Sequence, residues 1–142
     1  MLVEVRQAKQ ALARRQSKLV LGHGDFKPSN VMLHKGNVKL IDFELAGPNY
    51  RGFDLMKLFR TAKGASEDCL RHFLLAYMSA IGSPEDLSAL VDEVHAFEPL
   101  TWLEAAVFFL ILPQFKPEET ARWHQLAVDR WGKYEETKCK LL

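Results

Sequence analysis

Two short apolar segments around a tight turn place the strongest constraint on how this chain can fold. Residues 31–34 (VMLH) and 38–41 (VKLI) are rich in aliphatic side chains, and Lys35-Gly36-Asn37 lies between them. Glycine and asparagine tolerate the positive φ angles that tight hairpin turns require. The pattern therefore predicts a β-hairpin, and residues 19–21 are expected to form a short extended segment before it.

After residue 53 the sequence has the spacing and the boundaries of helices. Gly64, Gly82 and the prolines at 84, 99 and 117 separate segments of helical length. Helices are predicted at 54–63, 66–81, 85–97, 99–112 and 117–140, after an N-terminal helix at 2–16. Residues 42–52, which contain glycine, proline and asparagine, are predicted to be a loop. The expected fold class is α+β, mainly helical, in a single domain over residues 1–142.

Composition limits the classes of function. The net charge of +1 gives no strong field for nucleic acid or an anionic membrane. Two cysteines, far apart in sequence, give no disulfide framework, which favours a reduced, cytoplasmic protein. The N-terminus lacks the apolar core of a secretory signal, and a mitochondrial presequence is the less favoured alternative.

One segment, residues 100–112 (LTWLEAAVFFLIL), is apolar enough to suggest a membrane. It is shorter than the roughly 20 residues that a spanning helix needs, and it contains Glu104. A buried core helix is therefore predicted, and no membrane span is expected.

The residues with the clearest chemistry lie just before the predicted hairpin and just after it. Residues 23–30 (HGDFKPSN) have the form H-x-D-x-K-x-x-N, and residues 41–44 (IDFE) follow the second strand. A protein-kinase catalytic loop is H-R-D-x-x-x-x-N, and its metal motif is D-F-G. Asp25, Asn30 and Asp42 occupy the three functional positions, while Gly24 replaces arginine and Glu44 replaces glycine.

Phosphoryl transfer gives a physical reason for this arrangement. The reaction needs positioned groups and neutralised charge more than covalent help from the protein. A hairpin would bring Asn30 and Asp42 together around one Mg²⁺, a cation that prefers oxygen ligands. Asp25 could accept a hydroxyl proton, and Lys27 could neutralise the transferring group.

Each of these residues also has an ordinary structural explanation. An H-x-D can be a turn, Asp42 can cap a loop, and Lys27 can be solvated. The order of the motifs, with the predicted strands between them, favours catalysis over these separate explanations.

These motifs resemble a known family. HGDFKPSNVML and LIDFE are similar to the catalytic and metal motifs of the aminoglycoside phosphotransferase and choline kinase superfamily, whose members have a protein-kinase-like fold. DFELAGPNYRGFDLMKLF resembles the corresponding segment of choline and ethanolamine kinases, and residues 100–112 and 123–138 resemble their last helices more weakly.

The resemblance implies an ATP-dependent phosphotransferase that acts on a small-molecule hydroxyl of choline or ethanolamine type. It implies Asp25 as the catalytic base, and Asn30 and Asp42 as Mg²⁺ ligands. Lys27 is expected as a second catalytic residue from the charge argument above.

The resemblance also implies supporting residues. His23 and Asp54 would support the loop, Asp54 through backbone amides. Glu44 would be either an outer acid of the site or a contact for a cationic substrate.

Two departures from the family pattern limit these expectations. In the family, aromatic residues of the penultimate helix surround a quaternary ammonium group, and the nearest places here are Phe109 and Leu112. Leu45 replaces the tyrosine that follows the glutamate of the metal motif, so the resemblance supports a kinase more than it supports choline as the substrate. The residues before His23 predict one helix, without a glycine-rich phosphate loop or a strand-borne lysine.

The second departure favours a C-terminal lobe alone, without the nucleotide lobe. The isolated chain is then expected to be inactive, and apolar surface is expected where the other lobe would dock. The alternatives are a non-catalytic binding or regulatory module and an aminoglycoside-type phosphotransferase. A partner that supplies the other lobe and a homodimer both remain open.

Overall fold

The chain forms two compact units in a computed structural model that describes residues 2–15 and 17–141. One unit is Ser17–Ala96, and the other combines Met1–Gln16 with Phe97–Leu142. All the motifs with predicted chemistry lie in the first of these. The single domain expected for residues 1–142 stays a prediction.

The strands of the Ser17–Ala96 unit form two separate two-stranded antiparallel sheets. β1 pairs with β4, from Leu19 opposite Tyr50 to Gly22 opposite Gly47. β2 pairs with β3. The strands are β1 (Leu19–Gly22), β2 (Val31–His34), β3 (Asn37–Leu40) and β4 (Gly47–Tyr50). The β1–β4 pairing therefore joins the two ends of residues 19–50. The motifs at residues 23–30 and 41–44 lie between these paired strands.

The predicted hairpin is confirmed, with a shorter turn than expected. β2 and β3 pair from Val31 opposite Leu40 to His34 opposite Asn37. Lys35 and Gly36 alone form the turn, with φ angles of 50° and 78°. Two consecutive positive φ angles match the right-handed twist of the flanking strands. Asn37, predicted as a turn residue, belongs to β3.

The loop predicted for residues 42–52 is wrong in its second half. Gly47–Tyr50 is strand β4, and helix α2 begins at Arg51. The local sequence GPNY contains residues that are rare in strands, so propensity favoured a loop. Backbone pairing with β1, which is distant in sequence, outweighed that local preference.

Three helices complete this unit: α2 (Arg51–Thr61), α3 (Glu67–Ile81) and α4 (Leu87–Ala96). The sequence predicted a helix at each of these three places, and the observed ends differ from the predicted ends by up to three residues. α4 begins three residues after Pro84, and its Ala89 N–H donates to Asp86 Oδ2 at 3.2 Å. Buried aliphatic side chains from all three helices form the core of the unit, among them Leu55, Met56, Leu70, Leu74, Leu90 and Val94.

A buried arginine links the start of α2 to α4. Arg51 donates to Glu93 at 2.6 Å and also pairs with Glu85 at 2.7 Å. Burial by itself lowers the pKa of the Arg51 guanidinium, but hydrogen bonds to the two carboxylates outweigh burial and raise the pKa. Glu85 also pairs with Lys18, so the segment before β1 joins the same network.

The other unit is entirely helical in its described residues. It contains α1 (Leu2–Arg14), α5 (Glu98–Ile111) and α6 (Thr120–Thr137), with short 3₁₀ turns around α6. Ala8, Ala11 and Leu141 form one buried cluster. The Tyr134 hydroxyl donates to Glu4 Oε2 at 2.6 Å, which fixes α1 against α6. Burial, followed by the Glu4 carboxylate, raises the pKa of Tyr134.

The buried core helix predicted for residues 100–112 is confirmed only in its first half. Leu103 and Ala106 of α5 are buried, whereas Phe108 and Ile111 are 53% and 44% exposed. Within the described residues, the helical stretch Leu87–Gln114 is long and apolar enough, by length and composition only, to cross a membrane. Core helices of soluble proteins pass the same test.

Several apolar side chains of the hairpin are solvent exposed. Leu33 is 76% exposed, Val38 67% and Met32 50%. The hairpin therefore has exposed apolar side chains, while an apolar surface for docking of another lobe stays a prediction. Leu33 and Val38 are paired across the two strands and so share one face of the hairpin, whereas Met32 lies on the opposite face.

Replacing Ser66 tests the start of α3. Its hydroxyl oxygen accepts the Cys69 N–H at 3.2 Å. Ser66→Ala is expected to lower the free energy of unfolding by about 1 kcal/mol, because one N–H in the first helical turn loses its partner. Urea denaturation followed by circular dichroism measures the change. Ser79→Ala, on the exposed face of the same helix, is the matched control and should leave stability unchanged or slightly raised.

Candidate active site

Residues 23–30, named here the 23–30 loop, connect β1 to β2. Gly24 has a φ of +80°, and a Cβ atom there would lie 2.3 Å from the Leu45 carbonyl oxygen. Only glycine fits this position without moving the backbone. This close approach explains why glycine stands where protein kinases have arginine.

A single buried carboxylate holds the start of the loop. Asp54 of α2 accepts the His23 N–H at 2.6 Å through Oδ2 and the Gly24 N–H at 3.1 Å through Oδ1. Asp54 is only 8% exposed, so these bonds form away from competing water. The 23–30 loop is therefore fixed directly to helix α2.

His23 connects the loop to the segment after β3. Its Nδ1 accepts the Asp25 N–H at 3.3 Å, so Nδ1 carries no proton. Nε2 then carries the proton and donates to the Ile41 carbonyl at 2.9 Å. The ring also lies 4.7 Å from the Phe43 ring, centroid to centroid. His23 thus joins the two motifs that the hairpin separates.

Asp25 lies between two lysines. Lys27 Nζ is 2.5 Å from Oδ2, and Lys57 Nζ is 3.0 Å from Oδ1. Burial alone would raise the pKa of Asp25, but hydrogen bonds and charge from Lys27 and Lys57 outweigh burial and lower it. Asp25 is therefore ionised at neutral pH and can accept a proton.

Asn30 and Asp42 approach each other through the hairpin backbone. The Ile41 N–H donates to the Asn30 carbonyl at 3.1 Å. Asp42 is the next residue after Ile41, so this bond holds its backbone near Asn30. Asn30 is buried, and its Nδ2 donates to the Asp25 carbonyl at 3.0 Å. That bond uses the amide nitrogen and leaves the amide oxygen as the atom suited to a cation. Asp42, with a φ of +67°, is exposed.

This donor set fits Mg²⁺. The ion commonly takes one or two carboxylates, with water and phosphate oxygens completing its coordination. Asp42 would provide a carboxylate and Asn30 an amide oxygen. Among the described residues no group of three or more His, Cys, Asp or Glu side chains could hold a metal. A site completed by nucleotide phosphates does not require one.

The remaining candidates lie at the edge of the site or outside this unit. Glu44 is exposed, in a turn that is closed by the Ala46 N–H bond to the Phe43 carbonyl at 3.0 Å. Phe109 lies in the other unit, where it stacks on Trp123 at 6.1 Å. The three tryptophans of the chain are all partly buried.

Sequence reasoning missed Lys57. It lies on α2, three residues after Asp54, so both side chains project from one helix face. Its side chain is 6% exposed, and Nζ contacts the Gly24 carbonyl at 3.4 Å as well as Asp25. The three-residue spacing from Asp54 places Lys57 on the same helix face, but this spacing alone does not identify Asp25 as its contact.

Comparison with known proteins decides the family. The model of the choline/ethanolamine kinase family matches residues 1–135, which is nearly the whole chain. The chain belongs to the choline/ethanolamine kinase family. It resembles ethanolamine kinase 2 of Rattus norvegicus at 29% identity over 75% of this chain, and that of Homo sapiens at 26% identity over 92% of this chain.

A solved structure gives the same fold. An ethanolamine kinase from Plasmodium vivax matches 96% of this chain with a TM-score of 0.76 and 19% identity. The mainly helical, protein-kinase-like fold expected from the sequence is therefore confirmed. The chain spans only 32% and 37% of the two curated kinases and 39% of the Plasmodium protein, about a third of each.

Removing the loop-binding carboxylate tests the support of the site. Asp54→Asn keeps the side-chain shape but places an NH₂ group against a backbone N–H. The free energy of unfolding should fall by about 1–3 kcal/mol, because one buried donor loses its acceptor. Urea denaturation measures this loss. Asp92→Asn, on the exposed face of α4, is the control and should change little.

The pKa of Asp25 predicts the pH dependence of stability. A folded pKa below the ordinary 3.8 means that Asp25 contributes stability above pH 3.8, and this contribution is lost as pH falls through the folded pKa. The stability difference between wild type and Asp25→Asn should therefore be larger at pH 6 than at pH 2.5. Urea midpoints at the two pH values check this, and equal differences would contradict it.

Proposed function

We propose that this chain is the acceptor-side lobe of an ATP- and Mg²⁺-dependent phosphotransferase that acts on the hydroxyl of an amino alcohol, ethanolamine or choline. The single observation that carries this proposal is the ionised Asp25, fixed beside Lys27 on a loop that the hairpin backbone joins to Asp42. Membership of the choline/ethanolamine kinase family supports it.

Each residue then has a chemical role. Asp25 accepts the proton of the acceptor hydroxyl as its oxygen bonds to phosphorus and the bond to the leaving nucleotide breaks. Lys27, whose side chain is 37% exposed, can leave Asp25 and place its charge on the transferring group. Mg²⁺, when bound, neutralises phosphate charge, and the oxygens of Asn30 and Asp42 would hold it.

The substrate class follows from the relatives rather than from a closed pocket. The named relatives are ethanolamine kinases, so a small alcohol with an amino group is the proposed acceptor. Glu44 is proposed as a contact for that amino group, since it follows Asp42 closely in sequence. We propose ethanolamine rather than choline as the first candidate acceptor, because the proposed site includes no aromatic enclosure for the quaternary ammonium group of choline.

The remaining part of the reaction needs a nucleotide lobe. The matches cover only 32% and 39% of the lengths of two of these relatives. The exposed pair Leu33 and Val38, on one face of the hairpin, supports docking of such a lobe there. We propose that the working enzyme is cytoplasmic and contains that lobe.

A non-catalytic regulatory module is the second candidate. Such a module would bind a complete kinase without transferring phosphate. This candidate predicts that substitution of Asp25 leaves any measured function unchanged.

Turnover in variants of Asp25 tests the proposal. The chain would be joined to the nucleotide lobe of a relative and assayed with ATP, Mg²⁺ and a panel containing ethanolamine, choline and an aminoglycoside. Asp25→Ala should reduce kcat by about 10²–10⁴-fold, because the general base is lost. Asp92→Asn is the control, with unchanged kcat. Turnover of Asp25→Ala at the wild-type rate would exclude the proposed role, and a preference for the aminoglycoside would change the proposed substrate.

A further inference from the structure

Helix α2 contacts the 23–30 loop with two side chains of opposite charge. Asp54 accepts two backbone N–H groups at the start of the loop. One turn later, Lys57 donates to the Gly24 carbonyl at 3.4 Å and lies 3.0 Å from Asp25 Oδ1. The helix thus holds the loop backbone with one residue, while the other reaches the carboxylate itself.

The two lysines at Asp25 differ in how firmly they are held. The Lys57 side chain is 6% exposed and projects from a helix, and its ammonium lies 5.7 Å from the Phe53 ring centroid. The Lys27 side chain is 37% exposed and belongs to the loop. Buried ion pairs are screened little by salt, whereas exposed ones are screened strongly. Lys57 is therefore the permanent partner, and Lys27 the exchangeable one.

The lysines also contact different oxygens of Asp25. Lys57 contacts Oδ1, while Lys27 contacts Oδ2, which Asn30 Nδ2 also approaches at 3.3 Å. Departure of Lys27 toward a phosphate would remove the ion pair at Oδ2, where Asn30 Nδ2 remains at 3.3 Å, and leave Oδ1 paired with Lys57. One carboxylate oxygen would then be presented to the acceptor while the other fixes its direction.

We propose that Lys57 is a positioning residue of the transfer reaction, which holds Oδ1 of Asp25 so that Oδ2 faces the acceptor hydroxyl. This inference rests on the proposed function and deepens it. Lys57 does not touch the reacting atoms. It limits the rotation of the Asp25 side chain, and fixed geometry of this kind is worth large factors in rate.

The test measures the Asp25 side-chain rotamer by NMR three-bond couplings on the purified chain, without substrate. One rotamer is expected in wild type and in Lys27→Met, and it should persist in Lys27→Met at 1 M NaCl, where the Debye length is about 3 Å. Lys57→Met should show averaged couplings, and Lys57→Arg should restore a single rotamer. Lys63→Met, which removes an exposed lysine, is the control and should match wild type.

Two outcomes would overturn the inference. One is a single Asp25 rotamer in folded Lys57→Met, and the other is averaging in Lys27→Met while Lys57 is intact. The second outcome decides the question even where Lys57→Met fails to fold.

Turnover adds a kinetic check in the fused protein described under Proposed function. Lys57→Met should lower kcat by about 10–100-fold with little change in the KM for ATP, and Lys57→Arg should recover most of the loss. An unchanged kcat would overturn the role in transfer. Absence of turnover in every variant would instead count against the proposed function, while the rotamer measurement would still decide the contact between Lys57 and Asp25.

Discussion

The buried carboxylate of Asp54 is the contact on which the rest of the site depends. It binds the amides of His23 and Gly24, so the loop that carries Asp25 begins at a fixed distance from α2. Because Asp54 is almost fully buried, water competes little for these bonds. The close approach of Gly24 to the Leu45 carbonyl follows from the same placement and excludes any larger residue.

Backbone pairing then brings together motifs that are far apart in sequence. β1 and β4 close the segment at its two ends, and β2 and β3 return the chain so that Ile41 bonds to Asn30. His23 adds a side-chain link from the loop to Ile41. Few residues are needed for this arrangement, because each connection uses backbone N–H or C=O groups. Such groups need hydrogen-bond partners in any folded protein.

Charge is distributed unevenly around Asp25. A buried lysine on α2 and a more exposed lysine on the loop each contact one oxygen. Both lower the pKa of Asp25 against the opposing effect of burial. An ionised carboxylate with one permanent and one exchangeable partner suits a base that must meet both an acceptor alcohol and a charged donor, since the exchangeable cation can follow the phosphate.

The sequence by itself determined the local features: the hairpin, the helices after it and the spacing of the 23–30 motif, because glycine, proline and apolar periodicity act over a few residues. It could not show that Gly47–Tyr50 is a strand or that Lys57 contacts Asp25. Strand β4 exists only through pairing with distant β1, against its own propensity. Lys57 reaches Asp25 only because Asp54 fixes the loop over that face of α2. The tertiary structure decided both, since both depend on contacts between residues far apart in the chain.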